Sequence, residues 1–206
     1  MTELIPFISI KDYFKEHLCR SGDQSCVCID FNLREKFINE FGYIVPTAEA
    51  ISVLVELLQP AGMVLDAGCG SGYLSKELSR AGVSTYSVDL CDYQNSGKGY
   101  PIRKSYQQDA IGDACSFISN KIGAVLLIWP PYNKPFALNI AQAMLPGQLL
   151  IYEGEDIYGC TANTEFFKFM EDSTKWQKLS EISTTLNSCH ITFDGLNDCW
   201  TVWKRQ

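Results

Sequence analysis

Three glycines at alternate positions, Gly68, Gly70 and Gly72, constrain this chain more than any other feature. They follow an apolar run, Met63-Val64-Leu65, that ends in Asp66. They precede a helical pattern in which Leu74 and Leu78 lie four apart and Gly82 supplies the stop. Glycine reaches backbone angles closed to other residues and lets a main chain come close to a ligand. A helix starting here presents N–H groups with no partner inside the helix. Strand, glycine turn and helix together make the layout of a nucleotide cradle. The spacing Asp-x-Gly-x-Gly-x-Gly differs from the Gly-x-Gly-x-x-Gly of a dinucleotide site. A turn for another nucleotide, or a plain tight turn, would share the pattern.

The surrounding sequence alternates strand and helix patterns, the signature of a parallel sheet. An apolar stripe of Ile51, Leu54, Val55 and Leu58 predicts a helix over 48–58. Strands are expected at 63–66, 84–90, near 103–108, 124–128 and 148–152, with helices over about 135–144 and 164–171. The last third reads as two strands, 176–182 and 199–203; residues 190–193 form a third short strand or part of the connection. Residues 1–42 form an N-terminal helical extension, with Ile10, Tyr13, Phe14 and Leu18 on one face and Phe31, Leu33, Phe37 and Phe41 on another. Such a segment can lid a cofactor site or only pack on the sheet, packing being the first expectation, and residues 43–206 are expected to make one compact domain.

In an open parallel sheet, ligands lie beyond the carboxyl ends of the strands. Asp89 ends the second strand about twenty residues past the glycine loop, where an acidic side chain can accept bonds from two ribose hydroxyls. Asp109 and Ala110 end the third, with helix capping an equal role for Asp109. Trp129-Pro130-Pro131-Tyr132 follows the fourth, and Glu153-Gly154-Glu155 ends the fifth.

The Asp66–Tyr73 stretch resembles motif I of the class I S-adenosylmethionine (AdoMet) methyltransferases. The resemblance implies a Rossmann-like class I methyltransferase fold: an α/β, mostly parallel seven-stranded sheet with one antiparallel strand. It implies AdoMet as cofactor and S-adenosylhomocysteine as product. It also implies cofactor contacts from Tyr43, Asp66, Gly68, Gly70, Gly72, Asp89, Leu90, Asp109, Ala110 and Trp129. Asp66 would orient the ammonium end, and Asp109 would meet the adenine edge.

Trp129-Pro130-Pro131-Tyr132 resembles motif IV of the amino methyltransferases, whose first position is Asp, Asn or Ser. The prolines stiffen a backbone whose Pro130 carbonyl can accept from a target amine, and Tyr132 can stack on a planar substrate. An indole donates one hydrogen bond and accepts none, so Trp129 removes the usual side-chain acceptor. The order Tyr43-Ile44-Val45-Pro46, the glycine loop, Trp-Pro-Pro-Tyr, Gly154-Glu155 with Gly159-Cys160-Thr161, Phe166-Phe167, and Gly195 with Asp198 is similar to an uncharacterised methyltransferase-like family. That resemblance runs from about residue 40 to the end.

Methyl transfer requires an aligned nucleophile and, for some acceptors, a base. Glu153, Glu155, His190, Asp194 and Asp198 are candidates, Glu155 first, with capping of a helix or turn an equal role for Glu155 and a surface or satisfied core histidine the favoured role for His190; Trp129, Pro130 and Tyr132 complete the expected catalytic set. Cys160 lacks a flanking basic partner and is not the expected nucleophile.

The net charge of −7 argues against bulk attraction to nucleic acid or anionic membrane. The nine scattered cysteines suit reduced thiols in a cytoplasmic protein, and Cys26 and Cys28 lack a second ligand pair, so no metal is expected. Neither a membrane span nor a signal peptide is expected. These features give first an AdoMet-dependent methyltransferase of a small molecule or protein side chain, working as a monomer or weak dimer. A base methyltransferase acting on adenine amines in RNA or DNA is the alternative, with Lys98, Arg103, Lys104 and Lys134 as a phosphate track. A non-catalytic interaction protein on the same fold is a third.

Overall fold

The computed structural model describes residues 27–92, 105–193 and 196–206, with side chains from residue 34 onward. The expected helix face of Ile10, Tyr13, Phe14 and Leu18, Cys26, the side chains of Cys28, Phe31 and Leu33, and Lys98, Arg103, Lys104, Asp194 and Gly195 lie outside what is described.

A seven-stranded sheet of order β3-β2-β1-β4-β5-β7-β6 organises the chain. Its strands are β1 Met63–Ala67, β2 Thr85–Asp89, β3 Ala110–Ile111, β4 Ile122–Ile128, β5 Leu149–Gly154, β6 Trp176–Lys178 and β7 Cys199–Arg205. Neighbouring strands are parallel from β3 through β5, and β7 is antiparallel to both β5 and β6. The described helices are α1 Val27–Phe41, α2 Ala48–Leu58, α3 Tyr73–Arg80, α4 Phe136–Ala143, α5 Thr164–Met170 and α6 Ser180–Ser188.

The central strands are apolar on both faces because helices cover both. On β4, Val125 and Leu127 face one core with Ile140, Phe166 and Trp203, whereas Ala124 and Leu126 face another with Leu54, Leu78, Leu186 and Trp200. Helices α4 and α5 therefore lie on one side, and α2, α3 and α6 on the other. A smaller cluster of Phe37, Phe41, Val45, Tyr73 and Phe193 fastens the end of α1 to the body. The α2 stripe holds Ile51, Leu54 and Leu58 buried, with Val55 half-buried. Thr47 caps that helix by accepting from the Ala50 N–H at 3.0 Å.

Two stretches differ from the sequence expectation. The third strand is only Ala110–Ile111, not 103–108. Upstream, the Tyr106 and Gln107 amides turn to the Ser71 carbonyl instead of a ladder, at 2.7 and 3.4 Å. The expected strand at 176–182 stops at Lys178, and α6 follows. Its Ser, Thr and Ile residues are weak helix formers, so tertiary contacts decide. Leu186 is fully buried. Ser183 Oγ accepts from the Val202 N–H at 3.0 Å. The Asn187 side chain pairs with both backbone groups of Trp200 at 2.8 and 2.9 Å. Residues 190–193 belong to the connection between α6 and β7.

Candidate functional site

Strand β1 lies between β2 and β4, so chain crossovers leave it in opposite directions and open a crevice at its carboxyl end. Two adjoining hollows occupy this crevice and share Tyr43, Gly68, Gly70 and Ile128. The larger, of about 520 Å³, also takes in Asp89, Leu90, Gly112, Ala114, Trp129, Pro130, Lys134 and Phe136. The smaller, about 50 Å³, is closed by Phe41, Gly42, Asp66, Cys69 and Ser71.

The glycine loop is shaped by main-chain bonds. The Gly68 and Cys69 amides both donate to the Val88 carbonyl, at 2.9 and 3.1 Å. The Gly70 amide donates to Asp89 Oδ2 at 3.0 Å, and the Cys91 amide to Asp89 Oδ1 at 2.9 Å. Gly72 sits at φ 68°, and a Cβ there would lie 1.7 Å from the Gln107 carbonyl oxygen. Gly72 lines neither hollow; its role is to admit the neighbouring chain. Gly68, by contrast, faces the larger hollow beside the Phe136 ring, 3.2 Å from where a Cβ would stand.

Asp66 is 3% exposed and accepts from Ser75 Oγ at 2.6 Å. Burial pushes its pKa up to about 7, against the Ser75 hydrogen bond and with help from the negative charges of Asp89 and Asp109. Ser71 Oγ donates to the Phe41 carbonyl and accepts from the Tyr73 amide at 3.2 Å. That serine joins α1 to the loop.

The opposite wall is Trp129, in the left-handed region at φ 45°. Its ring stacks on Tyr43 at 5.6 Å and 20°, and the Arg34 guanidinium lies 5.2 Å from the Trp129 centroid and 5.8 Å from that of Tyr43. Asn133 and Ala162 are also left-handed, at φ 51° and 54°. These three non-glycine residues share one pair of loops, where backbone strain is concentrated. The loops are stitched by the Asn133 amide to the Ala162 carbonyl, 2.6 Å, and the Ala162 amide to the Pro130 carbonyl, 3.1 Å.

The structure brings Tyr43, Asp66, Gly68, Gly70, Asp89, Leu90, Trp129 and Pro130 to the two hollows. Asp109, Ala110, Tyr132 and Glu155 are not among the described lining residues. Asp109 Oδ2 instead takes the Ser87 amide at 2.8 Å and the Gln107 side chain at 3.0 Å. Because β3 ends at Ile111, the residues at its mouth are Gly112 and Ala114. Tyr132 is 62% exposed. Glu155 is buried, and its two oxygens accept from the Cys160 amide at 2.7 Å and the Asn197 amide at 3.1 Å. Burial would raise its pKa, but these donors outweigh burial and lower it. A carboxylate so committed clamps two loops together. Cys160, pushed up to about 11 by burial and Glu155, is held as the thiol.

Sequence reasoning missed Ser71, Arg34 and the Gly112–Ala114 mouth. The serine lay in view inside the glycine motif, but the 30-residue separation from Phe41 carries no sequence signal.

No protein-family model matches this chain, and no curated protein matches it. Among solved structures, the PH0226 protein from Pyrococcus horikoshii is 13% identical, with a TM-score of 0.48 over 95% of this chain and 99% of that one. The tRNA methyltransferase TrmK of B. subtilis is 12% identical, with a TM-score of 0.47 over 78% and 67%. An S-adenosylmethionine-dependent methyltransferase from Clostridium acetobutylicum is 11% identical, with a TM-score of 0.45 over 76% and 90%. Likeness at this level adds nothing to what the strand order states by itself: a Rossmann-like class I methyltransferase fold. No helix among the described residues is long and apolar enough to cross a membrane.

Proposed function

We propose that this chain is an AdoMet-dependent methyltransferase acting on a small molecule or a protein side chain. The observation that carries the reading is the pair of hollows joined across Gly68 and Gly70, with Asp66 at the end of one and Asp89 in the other. A cavity of about 520 Å³ is of ligand-binding size. Asp89 keeps lone pairs for ribose hydroxyls after receiving two backbone donors, and Leu90, 71% exposed at the rim, offers an apolar face to an adenine ring. The closed hollow at Asp66 suits the ammonium end of the cofactor. The cofactor supplies an electrophilic methyl group; the chain supplies alignment, and Tyr43 and Trp129 exclude water from one side.

Two observations favour such acceptors over an adenine amine. The Pro130 carbonyl already accepts from Ala162, and Tyr132 stands outside the lining. With Glu155 tied down, the reading relies on positioning and needs no strong base at that residue. The enzyme works as a monomer or weak dimer in this reading.

Isothermal titration with S-adenosylhomocysteine tests the cofactor. Micromolar binding is expected; no heat at millimolar ligand overturns the proposal. A salt titration of RNA and DNA binding tests the acceptor class. Weak binding with a shallow slope is expected, and a steep slope would return base methylation to first place.

A further inference from the structure

Behind Trp129, away from both hollows, three side chains from separate segments converge. Glu153 comes from the end of β5, His190 from the connection after α6, and Asp198 from the residue before β7. Their side chains are 0%, 7% and 6% exposed. His190 Nε2 lies 3.0 Å from Asp198 Oδ2 and 3.7 Å from Glu153 Oε1, and one donor atom from each residue falls within 4.8 Å of the others. Neither oxygen of Glu153 makes a hydrogen bond of good geometry, although the residue is completely buried; its polar neighbours are the Asp198 carboxyl and the Trp129 indole. A carboxyl left so is costly unless something positive completes it.

We propose that Glu153, His190 and Asp198 form a binding site for one divalent transition-metal ion of the zinc class. Three observations fit. Metal bonds of about 2.0–2.2 Å to nitrogen and oxygen put tetrahedral neighbours on the order of 3.3 Å apart, and the separations of 3.0 and 3.7 Å bracket that value. The protein supplies three donors, one Glu153 oxygen, His190 Nε2 and Asp198 Oδ2, and the fourth tetrahedral position is left for water. Two carboxylates and an imidazole match the preferences of such an ion and balance its charge. Calcium would need more oxygens than the site provides.

The surroundings hold the ligands in place. Thr192 Oγ1 donates to Asp198 Oδ1, leaving Oδ2 toward the cluster. The His190 ring packs edge-on against Trp200 at 6.2 Å and 82°. Since none of the three residues is among those lining the two hollows, the ion is structural: it ties His190 and Asp198 to Glu153 at the end of β5, beside Trp129. Cys26 and Cys28 were the metal-like spacing visible in the sequence; the fold assembles this other set from residues 37 and 8 positions apart.

The test uses the full chain, stripped with chelator and titrated with Zn²⁺ and Co²⁺ without any nucleoside. One equivalent of each should bind, and the Co²⁺ form should show visible d–d absorption without a thiolate-to-cobalt charge-transfer band, which excludes the cysteines as ligands. Glu153→Gln and Asp198→Asn should each weaken binding on the order of 100-fold, while Cys199→Ser should leave it unchanged. Thr192→Val, a milder change, should weaken it less. Absence of stoichiometric binding to the wild-type protein, a thiolate band, or unchanged affinity in the folded Glu153→Gln protein would each overturn the site. S-adenosylhomocysteine titration of the stripped protein reads the cofactor site separately.

Discussion

The two halves of the sheet's carboxyl edge are built on opposite terms. Over β1 and β2, the main chain does the shaping: the Gly68, Cys69 and Gly70 amides all have named acceptors, and Asp89 receives two of the loop's donors. Over β4, β5 and β7, side chains carry the polar groups, and several are buried without a hydrogen-bond partner: both Glu153 oxygens, Trp129 Nε1, Trp200 Nε1 and His190 Nδ1. A buried group without a partner costs roughly 1–3 kcal/mol. The first half is shaped chiefly by its own backbone, although Ser87 Oγ on β2 is also buried without a partner. The second holds strain and unspent polarity, and its geometry depends on what meets those groups.

The sharpest way to break this contrast is Gly72→Ala. Its Cβ would fall 1.7 Å from the Gln107 carbonyl, with backbone on both sides. A loss of roughly 4 kcal/mol and a melting temperature lower by on the order of 10 °C are expected by circular dichroism. An unaffected melting temperature would mean that the first half is not set by close backbone packing.

The next test is pH. Asp66, raised by burial from the usual carboxylate range to about 7, binds its proton more tightly folded than unfolded. Its contribution to stability is therefore full below about pH 4, falls as pH rises, and is lost above about pH 7. Chemical denaturation across this range should show the decline in the wild type and a flatter curve in Asp66→Asn. Affinity for S-adenosylhomocysteine, in the proposed role, should rise around pH 7, where the folded carboxyl ionises.

The smallest effect expected is on the other half. In chelator-stripped protein, Glu153→Met replaces an unpartnered carboxyl by an apolar chain of similar volume and should raise stability by about 1 kcal/mol. Urea denaturation reads the change. A clear loss would show that Glu153 is already satisfied, and the contrast between the halves would shrink.

The same contrast explains what the sequence disclosed. The glycine loop, Asp89, and strands β1, β2, β4 and β5 are local patterns: apolar runs with turn residues at fixed offsets. The loop, Asp89, β1 and β2 lie in the half shaped by backbone, and β4 and β5 show only as apolar runs, without the side-chain clusters at their ends. Strand β3 starts later than its sequence pattern indicates because the Tyr106 and Gln107 amides turn to the Ser71 carbonyl instead of joining a ladder. Helix α6 was hidden because its weak formers are held by Asn187 and Ser183 against β7, contacts 13 and 19 residues apart. Glu155 looked like a base from its place after β5; its partners at Cys160 and Asn197 exist only in the folded chain. The assembly of Glu153, His190 and Asp198 is of the same kind. No spacing announces it, because three separate segments supply it.

Ser71 has a consequence beyond the loop it belongs to. Its hydroxyl holds the Phe41 carbonyl and the Tyr73 amide, and its carbonyl holds the Tyr106 amide at 2.7 Å. One residue is thus a common pin for the last turn of α1, the first turn of α3 and the segment that leads to β3. Those three segments cannot open independently. The Tyr106 amide, remote in sequence from the glycines, becomes a built-in reporter: its hydrogen-exchange rate tracks how firmly the glycine turn is held.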